Sequence, residues 1–184
     1  MKTRSMILVA MFAAITAVMA QISIPIPVSP VPITMQVFAV SLAAGILGAK
    51  LGSISMGIYN LLGIIGVPVF AQGKAGLMVI FGPTGGYLWS YVIAAYVIGR
   101  LMENKDGKSS YANTLLAMVA GMLIIYLCGT VQLAYVMKLN LTQALIFGVG
   151  WFLPFDAVKL FLAAGVSHSV RKALIASGYI VQET

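Results

Sequence analysis

Long apolar runs, separated by short polar or glycine-rich segments, occupy most of the 184-residue chain. A helix needs about 20 apolar residues to cross the hydrocarbon core of a bilayer. Six runs approach or exceed that length. The pattern predicts six membrane-spanning helices, over residues 6–24, 33–49, 53–67, 87–102, 111–136 and 142–170. The second and third are short, so we expect them to lean on neighbours or to end below one surface.

The segments between these runs differ in character. Four prolines between residues 25 and 32 end the first helix, because proline has no amide donor and cannot continue a helix. Residues 50–52 leave room only for a very tight turn. Residues 68–86 are rich in glycine around a short apolar piece, and irregular backbone of this kind survives near lipid only where protein covers it or a cavity lies beside it. Residues 103–110 are predicted to form an aqueous loop.

Composition places this bundle in a membrane. Apolar residues make up 61% of the chain, charged residues only 8%, and the mean hydropathy is +1.03. A soluble domain needs roughly 25% charged residues to cover its surface. The sequence therefore predicts a single all-α integral membrane domain over residues 1–184, with the lipid bilayer around it. The net charge of +7 comes from scattered residues that offer no basic face to a nucleic acid.

The distribution of basic residues predicts the orientation of the bundle. With six spans, both termini lie on one side together with eight lysines and arginines, and two lysines lie on the other side. The eight are Lys2, Arg4, Lys50, Arg100, Lys105, Lys108, Arg171 and Lys172, and the two are Lys74 and Lys138. Cytoplasmic loops carry the excess of positive charge. Both termini are therefore predicted to be cytoplasmic in a multi-pass protein of the cell membrane.

One pair of opposite charges, Asp156 and Lys159, lies deep in a predicted span. Their i, i+3 spacing places them on one helix face. If Arg171 marks the cytoplasmic surface, they lie about 18–22 Å from it, in the outer half of the membrane. Buried charges cost several kcal/mol, so we predict that the pair meets polar groups of a ligand. The alternative is a neutralising pair that only locks this helix to its neighbours.

Two further sets of residues are candidates for the same site. Residues 82–87 form a glycine-rich loop that opens a helix, where backbone amides favour an acceptor group and Thr84 adds a hydroxyl; an ordinary extracellular turn is the alternative. Polar residues also cluster near the outer ends of the second and third spans. They are Thr34, Gln36, Tyr59, Asn60 and Gln72. Each residue alone is explained as a hydrogen-bonding link between helices. Their common position at the outer end of the spans, where Asp156 also lies, favours a shared pocket.

The sequence offers no candidates for catalysis or metal binding. There is no Cys–His cluster and no Ser–His–Asp set, so neither an enzyme nor a metal site is expected. Residues 107–109 resemble the end of a P-loop, but Met102 stands where that motif needs a glycine. An internal repeat is also missing, which disfavours a stand-alone alternating-access carrier.

The first helix carries small residues four positions apart: Ala10 and Ala14, and likewise Ala13 and Ala17. Small residues at this spacing let another helix approach closely. They predict either packing within this protein or docking to a separate membrane subunit.

Four motifs, in order along nearly the whole chain, resemble the BioY family. They are Pro30-Val-Pro-Ile-Thr-Met-Gln36, Gly63-Ile-Ile-Gly-Val-Pro-Val-Phe-Ala71, Phe81-Gly-Pro-Thr-Gly-Gly-Tyr-Leu88 and Phe152-Leu-Pro-Phe-Asp-Ala-Val-Lys159. BioY proteins are the biotin-binding S components of energy-coupling-factor (ECF) transporters in prokaryotes. One departure is Phe155, which stands where family members commonly have glycine.

The resemblance implies a six-helix membrane domain that captures biotin from outside. It implies docking through the alanines of the first helix onto a transmembrane coupling subunit that works with two ATPase subunits. Asp156 and Lys159 match the family's polar pair, and Gln36, Gln72, Gly73, Thr84 and Tyr87 are expected in the pocket. No cofactor is expected, since biotin would be the transported ligand. The alternatives are a self-sufficient carrier or channel, or an S component for another vitamin.

Overall fold

The computed structural model describes residues 3–103 and 110–176, in which helices dominate. The longer helices are α1 (Thr3–Gln21), α2 (Gln36–Ile64), α4 (Gly85–Met102), α5 (Tyr111–Met137) and α7 (Leu153–Ala176). The shorter elements are strands β1 (Ser23–Ile26) and β2 (Ser29–Thr34), a 3-10 turn (Ala71–Gly73), helices α3 (Leu77–Phe81) and α6 (Leu141–Leu145), and a π-helical turn (Ile146–Gly150).

Helix α2 folds back on itself at Gly48. The backbone there has φ 79° and ψ −176°, a conformation essentially confined to glycine. The side-chain amide of Gln36 consequently reaches the hydroxyl of Tyr59 at 2.7 Å, although a straight helix would separate these residues by about 35 Å. We call residues 36–47 the first arm and residues 49–64 the second arm. The predicted tight turn between the second and third spans is therefore present, at Gly48 rather than at residues 50–52.

The proline-rich segment is a correction to the all-α prediction. Helix α1 ends at Gln21 rather than at residue 24, and β1 and β2 then pair as a two-stranded antiparallel sheet with Ser23 opposite Thr34. Proline removes an amide donor, but in a two-stranded sheet each strand has one unpaired edge on which that donor is not needed. The prolines therefore end the helix, as predicted, without preventing a β-hairpin.

The last predicted span, residues 142–170, is not one helix. Helix α6 and the π-helical turn come first, and α7 begins after a bend of 42°. Pro154 lies in the first turn of α7, where the amide that proline lacks has no helical partner in any case. Residues 68–86 are irregular as predicted, with α3 as their apolar piece. Residues 104–109, the greater part of the predicted aqueous loop, lie outside the described residues.

Helices α2, α4 and α5 form the centre of the bundle, with α1 and α7 packed against α2. Fully buried side chains fill the space between them, among them Met56, Ile98, Met118, Ile125, Leu133 and Leu160. Gly99 of α4 lies directly against the backbone of Ala49, where a side chain would collide. The core therefore depends on close helix approach as well as on large apolar residues.

The outer surface of the bundle is apolar, as a membrane requires. Along α5 a stripe of large side chains is at least 59% exposed, formed by Leu116, Leu123, Leu127, Val131 and Tyr135. Such a continuous patch would be a liability in water. By length and composition alone, and with α2 counted as one continuous helix despite its turn at Gly48, α1, α2 and α5 are each long and apolar enough to cross a bilayer, and the bent α6–α7 pair makes a fourth such segment among the described residues.

The turn at Gly48 generates a prediction for stability. In Gly48→Ala, the new methyl group would be strained at positive φ and would approach the carboxylate of Glu103, which accepts a hydrogen bond from the Ala49 amide at 2.8 Å. We expect a loss of about 1–3 kcal/mol, seen as a lower midpoint of thermal unfolding in detergent. Gly57→Ala in the second arm is the control, because a methyl group there meets nothing within 4 Å. Equal midpoints for the two variants would contradict the assigned turn.

Candidate functional site

A recess opens at the end of the bundle opposite Gly48. Its wall is built from β2, the start of the first arm, the loop after the second arm, α3, the start of α4, the middle of α5 and the start of α7. It holds about 650 Å³ of space not occupied by atoms, counting the part that is open to solvent.

Asp156 and Lys159 form a buried ion pair at this recess. The lysine ammonium donates to one Asp156 oxygen at 2.6 Å and to the backbone carbonyl of Thr34 at 2.7 Å. The other Asp156 oxygen accepts from the hydroxyl of Tyr126 at 2.8 Å. Asp156 is 3% exposed and Lys159 is 7% exposed. The pair therefore joins α7, β2 and α5 through charge-assisted hydrogen bonds.

A second chain of hydrogen bonds begins at the hydroxyl of Thr34. This hydroxyl donates to the Gln36 side chain at 3.0 Å, and Gln36 in turn donates to Tyr59. The Tyr59 hydroxyl then donates to the carbonyl of Val69 at 3.1 Å. Because the backbone carbonyl of Thr34 accepts from Lys159, the two sets of hydrogen bonds meet at this residue and together extend from Tyr126 to the loop after the second arm. Such networks hold their members in a single arrangement when all are satisfied.

The glycine-rich loop supplies another part of the wall, through Thr84 and Tyr87. The Tyr87 hydroxyl donates to the carbonyl of Gly148 in the π-helical turn at 2.9 Å. Gly86 packs directly on the backbone carbonyl of Cys128 in α5, where a side chain would collide. From α5, Gln132 donates to the carbonyls of Ile80 and Gly82 at 2.7 and 2.9 Å. The loop is thus fixed between α5 and the π-helical turn.

The structure brings five of the seven predicted pocket residues together. Gln36, Thr84, Tyr87 and Asp156 line the recess, and Lys159 lies behind Asp156 as its partner. Gln72 and Gly73 do not line it: both are exposed in the 3-10 turn, although Ala71 and Lys74 beside them do. A binding role for Gln72 and Gly73 stays a prediction.

The remaining polar candidates and the unusual Phe155 have clear positions. Asn60 does not line the recess and donates to the Leu88 carbonyl at 2.8 Å, so it links the second arm to α4. Thr34 lines the recess, and Tyr59 lies behind Gln36. Phe155 is half exposed and does not line the recess, while its neighbour Asp156 stays buried.

Sequence reasoning missed several members of the wall, chiefly Tyr126. A tyrosine in an otherwise apolar span needs a hydrogen-bond partner for its hydroxyl, and that requirement is the signal that could have paired it with Asp156. The apolar part of the wall includes Phe70, Tyr91, Ile125 and Phe152. Nothing in their local sequence separates them from other core residues.

The alanines of α1 divide between two surfaces. Ala13 is 1% exposed and packs in the core, and Ala17 is partly buried against it. Ala13 is therefore covered by other residues of this chain, whereas Ala10 and Ala14 are exposed on the outer face of α1. Docking through the four alanines stays a prediction, and Ala10 and Ala14 are the two that a partner could contact directly.

Comparison with known proteins gives a consistent result. The family model described as the BioY family matches residues 1–176. A "Biotin transporter BioY" of Thermotoga maritima is 42% identical over 169 residues, covering 92% of this chain and 96% of that protein. A "Probable biotin transporter BioY" of Pyrococcus horikoshii is 42% identical over 171 residues, covering 93% and 98%.

Solved structures give the same result as the sequence comparisons. A crystal structure described as the S-component for biotin from an ECF-type ABC transporter superposes with a TM-score of 0.87 at 28% identity, over 93% of this chain and 92% of that one. The S component of a bacterial ECF transporter superposes with a TM-score of 0.58 at 17% identity, over 96% and 98%, and shows the shared fold.

The buried ion pair generates a stability prediction. In Asp156→Leu the Lys159 ammonium keeps its burial and loses its counter-charge, so we expect a loss of about 3–5 kcal/mol. Adding Lys159→Met removes the stranded charge and should restore a large part of that loss. Thermal unfolding in detergent measures both changes.

Arg100→Met is the matched control for this pair. Arg100 and Glu103 form a second i, i+3 pair, but at 3.4 Å and in exposed positions, so its loss should cost less than about 1 kcal/mol. If the double variant proved no more stable than Asp156→Leu, the single variant's loss would not come from an uncompensated charge.

Proposed function

The chain belongs to the BioY family, and we propose that it is the membrane-embedded subunit that captures biotin for uptake driven by a separate ATP-hydrolysing module. One observation carries this proposal. The Asp156 carboxylate lies on the wall of a small-molecule recess, buried, with its charge balanced by Lys159 behind it. A carboxylate in such a place has acceptor capacity beyond the two bonds it makes within the protein.

The recess matches the chemistry of biotin. The ureido ring of biotin offers two N–H donors, which suit the Asp156 oxygens, and a carbonyl acceptor, which suits hydroxyl and amide donors such as Thr84 and Gln36. The fused rings are compact and apolar, and Phe70 and Phe152 provide apolar wall. A small number of polar groups on a largely apolar wall is the usual design of a specific small-molecule site.

The proposed membrane arrangement has six spans: α1, the two arms of α2, α4, α5, and the bent α6–α7 segment. Cations are unequally divided between its ends. The Gly48 end carries Arg4, Lys50, Arg100, Arg171 and Lys172, whereas the recess end carries Lys74 and Lys138. Lys2, Lys105 and Lys108 lie outside the described residues. The excess of positive charge at the Gly48 end supports our proposal that this end and both termini face the cytoplasm of a prokaryotic cell, with the recess open to the outside.

If uptake is driven by ATP, as we propose, the energy has to come from partners, since the sequence has no nucleotide-binding motif. We propose a transmembrane coupling subunit that works with two ATPase subunits. In this proposal the coupling subunit docks on the outer face of α1, because Ala10 and Ala14 are exposed there and their side chains are only methyl groups. Small residues four apart allow two helices to approach closely and to gain packing energy in a membrane.

Calorimetry on the purified chain tests the capture function. We expect biotin to bind, and we expect Asp156→Asn and Lys159→Ala each to weaken binding more than tenfold, that is, by more than about 1.4 kcal/mol. Arg100→Ala is the control, because it removes the cation of an exposed i, i+3 pair far from the recess. Unchanged affinity in both recess variants would overturn the role of the pair. Binding of another vitamin in place of biotin would overturn the substrate.

Bulky replacements on α1 test the docking surface. Ala10→Trp and Ala14→Trp should leave biotin binding intact but reduce both co-purification with the coupling module and ATP-dependent biotin uptake. Leu127→Trp on α5 is the control, since that side chain is also exposed, at 67%, on a different helix. Full assembly of both α1 variants, or uptake into liposomes by this chain alone, would contradict the proposed arrangement.

A further inference from the structure

Two charged side chains line the recess among the described residues, and they have opposite signs. Asp156 is at the buried inner end, and Lys74 is exposed, on the loop that borders the mouth. The recess is therefore polarised along its depth, with a negative group inside and a positive group outside. A ligand that carries donors at one end and a negative charge at the other has one favourable orientation in such a field.

The inner end does not suit a carboxylate. The Lys159 ammonium is engaged by Asp156 at 2.6 Å and by the Thr34 carbonyl at 2.7 Å, and Lys159 does not line the recess. A ligand carboxylate placed there would meet the oxygens of Asp156 before it met the lysine. Like charges at close range disfavour each other, whereas N–H donors would be attracted.

Lys74 is the charged group at the mouth that remains available. The described residues contain two carboxylates, and each is paired with another cation: Glu103 with Arg100, and Asp156 with Lys159. No salt bridge joins Lys74 to either of them.

The loop that presents Lys74 is held in place. The backbone carbonyl of Lys74 accepts from the Phe70 amide at 3.0 Å. The amide of the preceding residue, Gly73, donates to the side-chain oxygen of Gln21 at 3.0 Å. The Gln21 amide group donates in turn to the carbonyls of Val69 and Phe70 at 3.4 and 3.2 Å. The backbone of Lys74 is therefore fixed beside the mouth, while its ammonium can reach a ligand there.

We propose that Lys74 binds the carboxylate of the ligand at the mouth, while Asp156 binds the N–H groups of its ring system, so that biotin enters ring first. This inference rests on the proposed function. It makes Lys74 a specificity-determining residue that separates ligands with a free carboxylate from neutral analogues of the same shape. Because Lys74 is exposed, its contribution is smaller than that of the buried pair and is screened by salt.

A cycle of two ligands and two proteins tests this assignment. Calorimetry compares biotin with biotin methyl ester, which lacks the negative charge, on the wild-type chain and on Lys74→Met. The wild-type chain should prefer biotin by about fivefold, as for an exposed ion pair, and this preference should shrink at high salt. Lys74→Met should lose the preference by binding biotin more weakly, with unchanged affinity for the ester, and Lys74→Arg should retain it.

Lys138→Met is the matched control. Lys138 is also an exposed lysine, directly after α5, but it does not line the recess, so this variant should bind both ligands as the wild-type chain does. Equal weakening of biotin and ester by Lys74→Met, or no preference in the wild-type chain, would overturn the role of Lys74 alone. Failure of the wild-type chain to bind biotin would overturn the proposed function as well.

Discussion

The cost of holding the Asp156 carboxylate inside a membrane protein determines how the recess is built. A charge in this environment must be neutralised and its oxygens must accept hydrogen bonds. Lys159, one turn further along α7, neutralises the carboxylate and donates to one of its oxygens, and Tyr126 of α5 donates to the other. The lysine then needs acceptors of its own, and the Thr34 carbonyl at the end of the β-hairpin supplies one. One buried charge thus ties α5, α7 and the hairpin together, and places polar groups beside a space that a ligand can enter.

The irregular backbone of the molecule is concentrated around that space. Backbone amides and carbonyls that face lipid must make hydrogen bonds within the protein. The hairpin and the π-helical turn both make such bonds. The hairpin pairs β1 with β2, and Ser29 adds a bond to the carbonyl of Phe147. In the π-helical turn the carbonyl of Gly148 receives the Tyr87 hydroxyl. Apart from the turn at Gly48, at the opposite end of the bundle, these interruptions of the helices lie around the recess, and β2 supplies part of its wall.

Most of the helices and the buried ion pair could be predicted because they depend on local patterns. Apolar runs give spans, and i, i+3 spacing puts Asp156 beside Lys159. The β-hairpin was missed because prolines indicate where a helix stops and not which structure the chain adopts next. Tyr126 was missed because its partner lies 30 residues away in the sequence, and the sequence around Tyr126 does not indicate which distant residue accepts its hydrogen bond. Gln72 is a different case: it lies in a turn beside residues that line the recess and has a left-handed backbone at φ 63°, but it does not line the recess itself, and its binding role stays a prediction.

Helix α1 connects the two proposed surfaces of the molecule. Its outer face carries Ala10 and Ala14, and its last residue, Gln21, makes three hydrogen bonds to the loop beside the recess. Only two helical turns separate Ala14 from Gln21, so the intervening backbone transmits a displacement with little loss. If a partner moves α1 relative to the bundle, residues 69–73 must either move with it or give up those bonds. Either outcome changes the wall of the recess, because Phe70 belongs to it. The proposed docking surface and the wall of the recess are therefore joined through helix α1, although neither surface contacts the other.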